Sequence, residues 1–288
     1  MLIIIGYTVT MVSMIGGFMM AGGNPMLLLH VSEFVVIGGI SLGVLIVASP
    51  MSVLKDVMKA IMGALKGGGG SREEFLDLMK LLYELFLLGR RNGLIALDEH
   101  VGDPEKSSII SKYDKFVKDK EKITFFCNAL RPIIDGKIKP DQLEGLLMTE
   151  INAKEKEAGG TRFIIGLIAD SLPGIGIVAA VLGIINTMSS ISEGPEAIGA
   201  KVGAALTGTF LGILGAYGFI APMNVKIHFN EQMHFLYYRV MVKAISSFAK
   251  GVAPIMAIEI ARRSLPSSMS MDADELEKTL KDLNAASG

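Results

Sequence analysis

The chain has 288 residues, half of them hydrophobic, with a formal net charge of −1 and a mean hydropathy of +0.47. That is too apolar for an ordinary soluble domain and directs the reading to a membrane protein. Its single cysteine, Cys127, rules out an internal disulfide and reads as a small buried apolar residue.

Crossing a bilayer takes roughly 20 mostly apolar residues, and the first candidate, residues 2–29, carries no charge. It has no basic leader and no clear small-x-small cleavage site, so it reads as a retained span and not as a secretory signal. A second uncharged stretch covers residues 34–54. Composition then changes. The GGGG at 67–70 reads as flexible punctuation; no Lys-Ser or Lys-Thr follows it, which excludes a phosphate loop. EEFLDLMKLLYELFLLGRRNG, residues 73–93, opens on acids and closes on Arg90, Arg91, Asn92 and Gly93. That charge order suits one helix and its dipole, with an Asn-Gly stop. A second helix is predicted over 111–130, and a third from Lys139-Pro140-Asp141 toward Glu157.

The third and fourth apolar stretches run over 171–192 and 202–225. In the fourth, Ala204, Gly208, Gly212 and Ala216 recur every four residues, the spacing that lets another backbone approach closely. The third has Gly166, Ala169, Pro173, Ile177 and Ala180 on a similar stripe. Pro173 and Pro222 each remove a backbone N–H bond and loosen the preceding turn. Thr207 and Thr209 are able to hydrogen-bond their own backbone one turn earlier, so neither requires a ligand. Beyond the fourth stretch, NVKIHFNEQMHFLYYRVMVKAISSF is predicted to continue the same helix. A shorter helix is predicted after Pro254, and DADELEKTLKDL reads as a solvated or loosely packed end.

The turn between the first two stretches has no Lys or Arg, and the turn between the last two has only Lys201. All other basic residues lie between Met51 and Arg162 or after Val225, which by the positive-inside rule makes those regions and both termini cytoplasmic. The expected fold is an all-α integral membrane protein with four transmembrane helices and a large helical cytoplasmic domain between spans two and three. The expected segments are 1–54 (spans one and two), 55–162 (cytoplasmic domain), 163–225 (spans three and four) and 226–288 (cytoplasmic helix and tail).

No H-E-x-x-H, G-x-S-x-G, paired-cysteine or Walker pattern is present. His30, His100, His228 and His234 are scattered, and the last two are not spaced to share a helix face as a metal pair. An enzyme is therefore not expected, nor a cofactor, a metal or a nucleic-acid partner. The spans carry no acid or base at mid-membrane depth, so any ion path they line needs a carboxylate from another polypeptide.

Several stretches together carry a resemblance: MLIIIGYTVT, ADSLPGIGIVAAVLGI, VGAALTGTFLGILGAYGFIAP, LLYELFLLGRRNGLIALDEHV and APIMAIEIARRSLPSS. In order and spacing over nearly the whole chain, they resemble the MotA family, the larger subunit of the flagellar stator. The resemblance implies a bacterial inner-membrane location among lipid, with a pentameric ring of such chains around a dimer of single-span MotB-like partners. It implies that the partner's membrane aspartate carries the ion and that the cytoplasmic loop pushes on the rotor protein FliG. By position, Pro173 and Pro222 match two functional prolines of the family. Arg90 matches a rotor-contact arginine, with Arg91 a further base. The glutamate expected eight residues on is replaced by Asp98 with Glu99 beside it, which leaves open which of the two acts. Ala180 stands where sodium-driven relatives tend to have threonine, which points to protons. Thr209 is a candidate contact for the partner's aspartate, and Asp170 either an exit group or an ordinary helix-end acid. Two alternatives are an energy-transducing ring of the ExbB/TolQ type and a non-conducting membrane scaffold.

Overall fold

The computed structural model describes residues 2–67, 70–188, 192 and 194–286. Among them all regular structure is helical. In chain order the α-helices are α1 (Leu2–Met20), α2 (Val31–Ala48), α3 (Met51–Lys66), α4 (Arg72–Asn92), α5 (Asp98–Gly102) and α6 (Asp114–Lys118). They continue with α7 (Lys120–Ile134), α8 (Pro140–Met188), α9 (Pro195–Ile213), α10 (Ala221–Ala249), α11 (Pro254–Arg262) and α12 (Ala273–Ala286). Residues Leu214–Ile220, between α9 and α10, are π-helical. The chain forms two compact units: residues 1–68 with 156–230, and residues 69–155 with 231–288. α8 and α10 each contribute to both.

The first unit holds the most apolar helices. Among the described residues, four helical stretches are long and apolar enough to cross a membrane: Leu2–Met20, Pro25–Ala48, Pro140–Met188 and Pro195–Ala249. α1 buries none of its residues and is apolar all round, as a helix facing a non-aqueous medium or another chain must be. The uncharged stretch 34–54, read above as one span, is divided. α2 ends at Ala48, and Pro50, extended at φ −60 and ψ 154, caps a separate helix, α3. Proline cannot supply the N–H that would continue the helix, and it forces the residue before it out of the helical region. α3 carries Lys55, Lys59 and Lys66 and stops at Gly67, which adopts φ +80. Inside the unit, Val57 and Ala64 of α3 pack with Ile164, Ile165, Met223 and Ile227. A second cluster joins Ile37, Leu172, Ile175, Ala179 and Ala216.

The second unit is built on α4. Its N-cap is Ser71, whose hydroxyl accepts the Glu74 N–H at 3.2 Å, and it ends before Gly93 at φ +83. The acids and bases expected at its two ends are Glu73 and Glu74 in the first turn, Arg90 and Arg91 in the last. Phe75, Leu78, Leu81, Leu82, Leu85 and Phe86 are fully buried, and the Phe86 ring stacks on Phe248 at 4.3 Å. The helix predicted over 111–130 is broken into a short turn, α6 and α7. The break comes where the Asp119 side chain accepts the Lys122 N–H at 3.1 Å and starts α7 afresh. The predicted third helix does start at Pro140, but it runs on without interruption to Met188. The acidic end DADELEKTLKDL exposes its charged residues, as expected of a solvated end, but one side of it is packed. It forms most of α12, whose Leu276 and Leu280, one turn apart, are 3% and 0% exposed.

Candidate functional site

Within the first unit, α8 and α9 meet backbone to backbone. A Cβ placed on Gly212 would lie 2.6 Å from the Leu172 carbonyl oxygen and 2.7 Å from the Gly176 Cα. One on Gly176 would lie 2.8 Å from the Gly208 oxygen, and one on Gly183 2.8 Å from the Ala205 Cβ. Only glycine permits this approach. Gly208, Gly212 and Ala216 are all buried on this face, against α8 of the same chain.

Ala180 lies in the same contact and is 8% exposed, so its methyl group belongs to packing inside the chain. Thr207 is buried and donates to the Gly203 carbonyl at 3.0 Å, the backbone bond expected for a helical threonine. Thr209 is half-buried. Pro173 lies inside α8 and is half-buried, three residues after the exposed Asp170. Pro222, exposed, is the second residue of α10 and follows the π-helical segment directly. Wide turns of this kind arise where the regular hydrogen-bond ladder is interrupted. The Tyr7 hydroxyl of α1 donates to the Phe219 carbonyl in that segment at 2.8 Å, satisfying one of its acceptors from outside the helix.

A group missed by the sequence reading stands at the centre of this contact. Glu33, in the first turn of α2, is 5% exposed, and a Cβ on Gly208 would lie 2.6 Å from its Oε2. The same position is 3.1 Å from the Ala179 Cβ and 3.2 Å from the Ala180 nitrogen, so the carboxyl sits where α2, α8 and α9 converge. Among the described residues its Oε2 has no hydrogen-bond partner. The stretch counted as uncharged began at Phe34, one residue too late to include it. A signal was present: Glu33 is the only charged side chain, histidine apart, in the first 54 residues.

In the second unit, α4 ends in the exposed Arg90 and Arg91, and the turn through Gly93 brings the chain to Asp98 and Glu99, both exposed in the first turn of α5. Leu97 is buried beneath Gly89, where an added Cβ would lie 3.2 Å from it and from Phe248. Among the described residues, Arg90, Asp98 and Glu99 form no ion pair. His100 is buried, with its Nδ1 2.7 Å from the Ser107 hydroxyl, and anchors the turn from below. A basic helix end and an acidic helix start are therefore both exposed on a corner with a packed underside. Bases at a helix C-terminus and acids at an N-terminus also suit the helix dipoles. Among the described residues no group of three or more metal-binding side chains is present.

Comparison with known proteins places the chain. Residues 4–93 match the family described as motility protein A N-terminal, and residues 117–234 the MotA/TolQ/ExbB proton channel family. Motility protein A of Salmonella typhimurium is 33% identical over 281 residues, covering 98% of this chain and 95% of the relative. Chemotaxis protein LafT of Vibrio parahaemolyticus is 32% identical over 276 residues, covering 96% and 97%. Two solved structures share the fold. The C. jejuni MotAB structure has a TM-score of 0.77 at 23% identity, covering 92% of this chain and 95% of its own. The flagellar MotAB stator complex from Bacillus subtilis has a TM-score of 0.74 at 21% identity, covering 96% and 98%.

Proposed function

The chain belongs to the motility protein A branch of the MotA/TolQ/ExbB proton channel family, and we propose on that premise how its parts divide the work of a flagellar stator. It is a non-enzymatic stator subunit, and it acts with a MotB-like single-span partner in an oligomeric assembly. Both termini and the unit built on α4 lie in the cytoplasm, and the four apolar stretches span the bacterial inner membrane. The excess of Lys and Arg outside the short span-to-span turns supports that orientation. Several copies, five in the family arrangement, surround a dimer of the partner, whose membrane aspartate carries the proton.

The observation that carries this division is the contrast between the two candidate sites. The α8–α9 contact has glycines at backbone distance and a wide turn before Pro222, the features of a packed element able to change register. At the Arg90–Glu99 corner, Arg90, Asp98 and Glu99 are exposed and, among the described residues, in no ion pair, so they offer charge to a polar surface. Protonation of the partner's aspartate therefore acts on α8 and α9, with Pro173, Pro222 and Thr209 in the moving segment. The corner of Arg90, Arg91, Asp98 and Glu99 pushes the rotor protein FliG. Motility of cells that rely on this chain tests the second half. Arg90→Glu, with wild-type amounts of assembled complex, is expected to cut swimming strongly. A matching charge reversal on the rotor is expected to restore it in part. Normal swimming of Arg90→Glu would remove the rotor-contact assignment.

A further inference from the structure

The partner's aspartate leaves unexplained why this chain buries a carboxyl of its own. Glu33 is 5% exposed, its Oε2 lacks a hydrogen-bond partner among the described residues, and it fills the space that Gly208 leaves by having no side chain. A carboxylate in such a place is costly unless it is neutralised by a proton or a cation, whereas a neutral carboxyl is tolerated. Packing alone would be served by methionine or glutamine. The charged and titratable groups around it are few. His30 is three residues earlier, and Glu33 N–H donates to its carbonyl at 3.2 Å. From α9 the nearest base is Lys201, about two turns before Gly208. From α8 the nearest acid is the exposed Asp170, ten residues before Ala180. A half-open groove of ≈ 680 Å³ lies nearby, with Leu27, Leu28, His30, Gly203, Thr207 and Phe210 among its lining residues; Glu33 itself does not line it. Two of its lining residues adjoin the site in the chain, Thr207 beside Gly208 and His30 one turn before Glu33.

We propose that Glu33 is a second proton-binding group of the ion path, carried by this chain itself. It takes a proton from the His30- and Thr207-lined groove and passes it toward the partner's carboxylate. The proposal rests on the stator reading. In the first step a hydronium ion from the groove gives its proton to Glu33 Oε2, forming the O–H bond and leaving water. In the second that O–H bond breaks, the proton bonds to the partner's carboxylate, and the Glu33 carboxylate is regenerated. Gly208 leaves room for the carboxyl beside Ala179 and Ala180.

The test uses the full complex of this chain and its partner in proteoliposomes, with proton flux read from an internal pH dye. Glu33→Gln keeps the shape and polarity but cannot release a proton. It is expected to lower partner-dependent flux about a hundredfold, the low end of what a positioned proton-transfer group contributes. Glu33→Asp, still titratable, is expected to restore most of that loss. Flux of Glu33→Gln equal to wild type overturns the proposal. A second readout covers a variant that does not assemble: modification of the wild-type complex by a hydrophobic carbodiimide, which attacks protonated carboxyls in apolar surroundings, mapped by mass spectrometry. Modification at Glu33 that falls as the pH on the groove side rises supports the proposal; no modification at any pH overturns it. A wild-type complex without flux would instead defeat the stator reading, while the labelling still decides the state of Glu33.

Discussion

Replacing Gly212 by alanine adds one methyl group to the tightest part of the α8–α9 contact. That methyl would stand 2.6 Å from the Leu172 oxygen and 2.7 Å from the Gly176 Cα, where ordinary contact begins at 3.4 Å. Both obstacles are backbone atoms, so no rotamer change relieves the clash and the helices must separate by several tenths of an ångström. Overpacking of this kind costs about 1–3 kcal/mol. Alanine also gains about 1 kcal/mol of helix propensity over glycine, which partly masks the effect. Gly174, also on α8, supplies the control, since a Cβ there meets nothing within 4 Å and its alanine variant receives the same propensity gain. Thermal unfolding of the purified chain in detergent, followed by size-exclusion fluorescence, compares the two. Gly212→Ala is expected to melt several degrees below Gly174→Ala, and to lower torque as well as stability. Equal melting temperatures would refute the reasoning that glycine is needed there for backbone contact.

Two further outcomes follow from the second unit. Leu280→Ala, at a side chain with no exposure on α12, is expected to cost about 2–5 kcal/mol in chemical unfolding; a loss below 0.5 kcal/mol would return the acidic end to a loosely packed role. Glu259 accepts from Arg262 at 2.6 and 2.8 Å and from Arg263 at 2.8 Å, and chiefly the Arg262 hydrogen bonds lower its carboxyl from 4.5 to about 2. Because the folded value is the lower one, its contribution is complete above pH 4.5 and is lost as pH falls toward 2. Glu259→Gln is expected to remove about 1–3 kcal/mol at neutral pH and to flatten the acid limb of the stability profile, as measured by denaturant titration across that window.

What the sequence discloses depends on how local each cause is. α4 is legible at both ends because its cap, its charge order and its Asn-Gly stop lie within the helix itself. The stripe of Gly208, Gly212 and Ala216 is legible as a close-approach face for the same reason, but not what it meets. That depends on Gly176 and Leu172, which come from another helix. Glu33 escaped notice because a carboxylate in a helix's first turn usually faces solvent, and only the fold of α8 and α9 over it turns a helix-end acid into a buried one. The break at Pro50 was legible in principle, since proline stops a helix; the apolar run on both sides hid it. The acidic face of α12 hid Leu276 and Leu280 in the same way: its charge masked a two-residue stripe that is enough to dock a helix against a packed unit.

On the proposed reading, this chain with its partner turns proton flow into rotation. Bead rotation on single flagella measures it most directly, in cells whose only stators contain this chain, while the proton-motive force is removed and restored with a protonophore at constant external sodium. Rotation is expected to stop with the proton-motive force and to resume in torque steps as it returns. Rotation that persists in the protonophore and tracks external sodium instead would contradict this reading.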